Sequence, residues 1–188
     1  MMTIADVRAG DPGTVQLQVS NLAGSDGSAE VTQALQWRTY EWVGTRFNQV
    51  GGPTSFTVSI PGFTATVSDL VYAAAVNGTR TGTMTVSLHN GGTATVSGAS
   101  VVYLLGYVTS PKCDPVAGNG SSGRCQLQPI APGATVVLTF TFSAPAAELD
   151  YYMGKPTDLL STGNLALDVF VGDQALAVQP KLGKLIVR

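Results

Sequence analysis

The sequence predicts an all-β protein, and three observations carry that expectation. Valine and threonine each make up about 11% of the 188 residues, and both are β-branched types that lose side-chain freedom in a helix but fit a pleated surface. The 22 glycines and 10 prolines cut the chain into short segments, at the spacing of a β-sandwich or barrel. Within several segments apolar and polar residues alternate with a period of two, the mark of a strand with one face buried.

Along the chain, strands are expected at residues 15–19, 34–42, 46–50, 55–60 and 64–73, where short β-rich runs lie between glycine and proline breaks. Residues 83–90 follow, with Met84, Val86 and Leu88 on one face and Thr83, Thr85, Ser87 and His89 on the other. The next strand covers residues 98–108. In residues 134–142, Val136, Leu138, Phe140 and Phe142 oppose Thr135, Thr139 and Thr141, with Val137 the exception. Leu165, Leu167, Val169 and Val171 alternate in the same way before a Gly172-Asp173 turn, residues 175–178 return as a hairpin, and residues 184–188 close the series. Only residues 144–160 offer room for a helical turn. One parity on each strand gives an expected core of Val67, Met84, Val86, Leu88, Val101, Tyr103, Val136, Leu138, Phe140, Leu167 and Val169. Breaks at Gly51-Gly52-Pro53 and Ile60-Pro61-Gly62 place a boundary near residue 62, with a small β element in 1–62 and a sandwich in 63–188.

Composition excludes several classes. With 44% hydrophobic and 12% charged residues, the chain is too apolar and too weakly charged for a disordered segment. Its ten basic residues are scattered and the net charge is −2, which argues against nucleic acid as a partner. Apolar runs such as Val101–Leu105 are far shorter than the roughly 20 residues of a membrane-spanning helix, so no transmembrane segment is expected. The first residues, Met1-Met2-Thr3-Ile4-Ala5-Asp6, carry no basic patch followed by an apolar stretch, so no secretory signal is legible there.

From Thr79, the string TRTGTMTVSLHNGGTATVSGASVVYLL, and after a loop LQPIAPGATVVLTFTFSAP, resembles bacterial immunoglobulin-like modules of secreted and cell-surface proteins, including the CARDB-type group. The resemblance covers roughly residues 65–188 and rests on turn and core signals: Asn90-Gly91-Gly92 ends one strand and Ala131-Pro132-Gly133-Ala134 launches another. It implies an immunoglobulin-like sandwich, an extracellular or cell-surface location, and a non-catalytic binding or structural role. Residues 37–53 look like the hairpin found ahead of such modules in exported actinobacterial proteins. Residues 5–15 are faintly similar to the aspartate-rich turn of FG-GAP-type repeats, but Arg8 stands where that calcium loop needs a further acid. A hard cation wants six to eight oxygens, so a solvated turn is the expectation and no metal or cofactor is assigned.

Cys113 and Cys125 bracket a polar loop rich in Gly, Ser and Asn. Two cysteines in a chain resembling exported proteins are expected to pair, the alternative being two inert thiols. A structural zinc site needs four ligands, and His89 is the single histidine. Catalytic signatures are lacking: there is no GxSxG elbow, no HExxH and no phosphate loop. His89 reads as a strand-end surface residue. Glu148, Asp150 and Asp158 leave a carboxylate-type hydrolase as the remote alternative, with solvated loop acids the commoner arrangement. Asn77-Gly78-Thr79 and Asn119-Gly120-Ser121 match the glycosylation pattern, and the turn propensity of Asn-Gly accounts for both.

The aromatic hairpin offers the candidate binding patch, weighed against structural packing of its rings. Trp37, Tyr40, Trp42 and Phe47 lie within eleven residues, and such rings offer much contact area to a protein or glycan at low entropy cost. Alternation separates Trp37 from Tyr40 and Trp42. Leu35 and Trp37 are expected to face inward, with Arg38, Tyr40 and Trp42 outward. Structural packing of all the rings is the competing account.

Overall fold

The computed structural model describes residues 2–21, 35–111, 113–115, 122–159, 165–177, 180 and 182–188. Its first four strands, β1 (Met2–Ala9), β2 (Thr14–Asn21), β3 (Leu35–Val43) and β4 (Arg46–Gly51), form an antiparallel sheet in the order β1-β2-β3-β4. Sequence alternation identifies β2, β3 and β4 but passes over β1. The cause is a bulge between Ile4 and Asp6, which sets Ile4 and Val7 on one face although they are three residues apart.

The remainder is a sandwich of two sheets. Its upstream strands are β5 (Thr57–Val58), β6 (Phe63–Val67), β7 (Leu70–Tyr72), β8 (Thr79–Asn90), β9 (Ala99–Leu105), β10 (Val108–Ser110) and β11 (Asp114–Pro115). Downstream come β12 (Ser122–Gln126), β13 (Thr135–Pro145), β14 (Thr157–Asp158), β15 (Leu165–Val171), β16 (Gln174–Leu176) and β17 (Lys184–Val187). Between β13 and β14 a single helical turn, α1 (Ala146–Leu149), runs into a 3-10 turn at Asp150–Tyr152. One sheet has the order β10-β13-β8-β7-β17-β14, with β6 also paired to β8; the other has the order β11-β12-β9-β15-β16-β5. Their centres, β13-β8-β7 facing β12-β9-β15-β16, reproduce the E-B-A and C′-C-F-G strand orders of an immunoglobulin-like Greek key. Strand β5, upstream of residue 62, pairs in parallel with β16 and so belongs to the sandwich's second sheet.

Burial follows parity most clearly in β8, where every even-numbered residue from Arg80 to Asn90 is buried. Its partner register with β13 runs unbroken from Thr135↔His89 to Pro145↔Thr79. Val67, Met84, Val86, Leu88, Val101, Tyr103, Phe140, Leu167 and Val169 are buried as expected from the sequence. Val136 and Leu138 are half-buried and pack against that core. Their half of β13 is an open edge, because β10 covers the strand only at Thr141 and Phe142. Tyr103 meets Phe140 edge to face at 5.1 Å in the centre, a geometry that places a positive ring edge on a negative face.

The Asn77-Gly78 dipeptide between β7 and β8 is a turn with positive φ at both residues, 50° and 76°. That is the requirement of a type I′ turn, which the dipeptide satisfies at low cost. The second such dipeptide, Asn119-Gly120, lies outside the described residues. Among the described residues no helix is long and apolar enough to cross a membrane.

Candidate functional site

The register of the N-terminal sheet sorts its side chains into two faces of opposite chemistry. Ile4, Val19 and Gln36 align across three strands, as do Val7, Leu17 and Arg38, and Ala9, Val15 and Tyr40. Trp42 pairs with Phe47 across the Gly44-Thr45 turn, so these rings continue the same face. The opposite face is polar: Arg8 donates to Gln16 Oε1 at 2.7 Å, Gln16 donates to Thr39 Oγ1 at 3.4 Å, and the Arg8 guanidinium lies 3.9 Å over the Trp37 ring.

One end of the apolar face is covered by the sandwich through polar contacts. Gln36, fully buried, donates from Nε2 to the carbonyls of Ser55 at 2.9 Å and Asp173 at 3.1 Å. Arg38 donates to Gln36 Oε1 at 3.0 Å and stacks over Phe56 at 4.6 Å. The sequence-based assignment of faces is corrected here: Arg38 is buried, Trp37 is half-buried beneath Arg8, and Leu35 is exposed. Apolarity misleads at this junction because the facing loops present carbonyl oxygens that need donors. A glutamine amide supplies them, and the arginine stem and guanidinium lie on an aromatic ring.

Beyond the junction the same face is open. Tyr40 is half-buried, whereas Trp42, Phe47 and Val7 are each more than half exposed; Ile4 is equally exposed, but on the outer strand β1 in the row of the buried Val19 and Gln36. Trp42 and Phe47 meet edge to face at 5.0 Å. Of the three expected patch residues, Tyr40 and Trp42 therefore share an accessible surface and Arg38 does not. Phe47, Ile4 and Val7 complete it. Phe47 was legible from hairpin arithmetic, since a two-residue turn at Gly44-Thr45 pairs positions 42 and 47; Ile4 and Val7 were hidden by the bulge in β1.

The remaining sequence candidates fall elsewhere. Cys113 and Cys125 form a disulfide with Cα atoms 4.8 Å apart, and Cys125 sits on β12 opposite Val101 at the edge of the core. Residues 116–121 of the bridged loop lie outside the described residues. Asp150 pairs with the buried Arg80 at 3.6 Å, Glu148 stands exposed on α1, and Asp158 lies on β14 opposite Lys184. Arg80 also donates to the main-chain oxygens of Ala73 and Arg188, so Asp150 serves an anchoring contact. His89 is exposed at the end of β8, with Nδ1 3.0 Å from Thr135 Oγ1. Asp6 lies within β1, where its Oδ1 accepts from the Val7 N–H, and Asp11 lies in the β1–β2 turn, which Thr14 closes by donating to the Asp11 carbonyl. Among the described residues no group of three or more His, Cys, Asp or Glu side chains is gathered as a metal site would require.

No protein-family model matches the chain, and no curated protein or solved structure shows significant similarity to it.

Proposed function

We propose that this protein is a non-catalytic, extracellular or cell-surface binding module that docks a partner protein on the open apolar face of its N-terminal sheet. The observation that carries the reading is the exposure of Ile4, Val7, Trp42 and Phe47 on one face of a sheet only part of which the sandwich covers. With the half-buried Val15, Leu17 and Tyr40 between them, these side chains offer on the order of 400 Å² of apolar surface, the size of the largest patch on a typical monomer, which is often functional. A protein suits the face better than a glycan. Sugar recognition needs hydrogen-bonding side chains around the ring, whereas Trp42 is bordered by Phe47 and the amide of Gln49 is engaged by the carbonyls of Gly51, Gly52 and Pro53. The Cys113–Cys125 bridge supports an oxidising compartment, and the resemblance of roughly residues 65–188 to bacterial immunoglobulin-like modules supports the exported, non-enzymatic part.

The test compares retention of the purified chain on the surface of the producing cell. Replacing Trp42 and Phe47 together by serine is expected to weaken retention at least 30-fold, as for a central aromatic hot spot. Glu41→Ser, on the opposite face of the same strand, should leave it unchanged. Equal retention of both variants would overturn the reading.

A further inference from the structure

A second site lies inside the sandwich, at the end that α1 and the Asp150–Tyr152 turn cover. A cavity of about 120 Å³ opens there between the sheets, walled by Leu105, Phe142 and Leu149. Tyr72 also lines it and is 2% exposed. Its ring lies flat on Gly82, where an added Cβ would come within 2.9 Å of Cδ1, and stands edge-on to Phe142 at 6.2 Å. This packing fixes the ring, while its hydroxyl makes no hydrogen bond among the described residues and, not being one of the fully buried unpaired atoms, reaches accessible space. Tyr72 therefore offers a free donor and acceptor to a space lined mainly by apolar and aromatic side chains, with Glu148 at its rim.

Two further features shape what fits. Tyr107, at the β9–β10 turn beside the cavity, has φ of 64°, a left-handed conformation that favours glycine and costs a tyrosine backbone strain. The chain thus keeps a fourth aromatic residue at the cavity wall, beside Tyr72, Phe142 and Tyr152, at a position better suited to no side chain. Glu148, exposed on α1, also lines the space and sets a carboxylate beside it, which repels an anionic ligand.

Cavities of about 150 Å³ are large enough to accept benzene. We propose that this cavity binds a small neutral aromatic ring bearing one hydroxyl, of the size of phenol, with that hydroxyl bonded to Tyr72. The site is separate from the docking face and does not depend on it.

The probes are phenol, benzene and benzoate, titrated into the full chain while leucine methyl resonances are followed by NMR. Phenol is expected to bind one to one with Kd on the order of 1 mM, shifting the methyls of Leu105 and Leu149. Benzene should bind about tenfold more weakly, the effect of one neutral hydrogen bond, and benzoate more weakly still. Tyr72→Phe should retain benzene affinity and lose the preference for phenol. Absence of saturable binding, equal affinities for phenol and benzene in the unaltered chain, tightest binding of benzoate, shifts confined to other methyls, or a preference that survives in Tyr72→Phe would each overturn the proposal.

Discussion

Reducing the Cys113–Cys125 bridge should cost about 3 kcal/mol of unfolding free energy, and the structure shows why the loss should be mostly that of a chain constraint. The bridge joins residues twelve apart, and in the loop-entropy treatment a closed loop of that length removes about 10 cal/mol/K from the unfolded chain, or close to 3 kcal/mol at 25 °C. Native contacts should survive. Cys125 is held in β12 by five register pairs with β9, and both half-cystines stay against the core as small apolar thiols. For a chain of this size the loss corresponds to a fall in midpoint of about 6–12 °C. Urea and thermal unfolding followed by far-UV circular dichroism, with and without reductant, read the difference, and intact mass confirms the thiol state. An unchanged midpoint in fully reduced protein would refute the chain-constraint reasoning. So would outright unfolding in the absence of urea, which would mean that the bridge holds native contacts.

Other perturbations test the remaining elements. Phe140→Ala removes the fully buried ring that meets Tyr103, and thermal unfolding should show a loss of about 3–5 kcal/mol. Arg80→Ala deletes a buried guanidinium that serves two main-chain oxygens and should cost about 2–4 kcal/mol, whereas Asp150→Asn, at a carboxylate 57% exposed, should cost under about 1 kcal/mol in the same assay. Burial pushes the Tyr72 phenol up to about 12. The folded state then holds the proton that the unfolded state releases near pH 10, so the contribution of Tyr72 to stability should be level below pH 10 and fall between pH 10 and 12 by up to about 2–3 kcal/mol. Tyr72→Phe should abolish that fall, and the difference between the phenolate absorbance titrations of the two proteins should have its midpoint near 12 rather than 10.

The sandwich was legible wherever a strand has one dry and one wet face. In β8, Met84, Val86 and Leu88 announce their direction because the other parity is threonine, serine and histidine. Parity fails where the buried contact is polar. Gln36 and Arg38 face inward because the carbonyls of Ser55 and Asp173 need donors, and a hydrophobicity pattern places Leu35 there instead. It fails again at β1, where one bulged residue between Ile4 and Asp6 breaks the alternation that would have revealed the strand. The docking face was therefore half visible: Tyr40 and Trp42 from spacing, and Ile4 and Val7 only once three strands are aligned. The cavity was not legible at all. Leu105, Phe142 and Leu149 with Tyr72 come from separate segments, and no local pattern records their meeting.

The most direct test of the docking claim is site-specific photo-crosslinking on the producing cell, with the reactive group placed at position 42 in one sample and at position 41 in another. These neighbours project from opposite faces of β3 and are both exposed. The account predicts a discrete protein adduct from position 42, absent from position 41 and abolished by Phe47→Ser, with an adduct of twice the chain mass identifying a second copy as the partner. Equal adducts from both positions, or none from position 42, would contradict it.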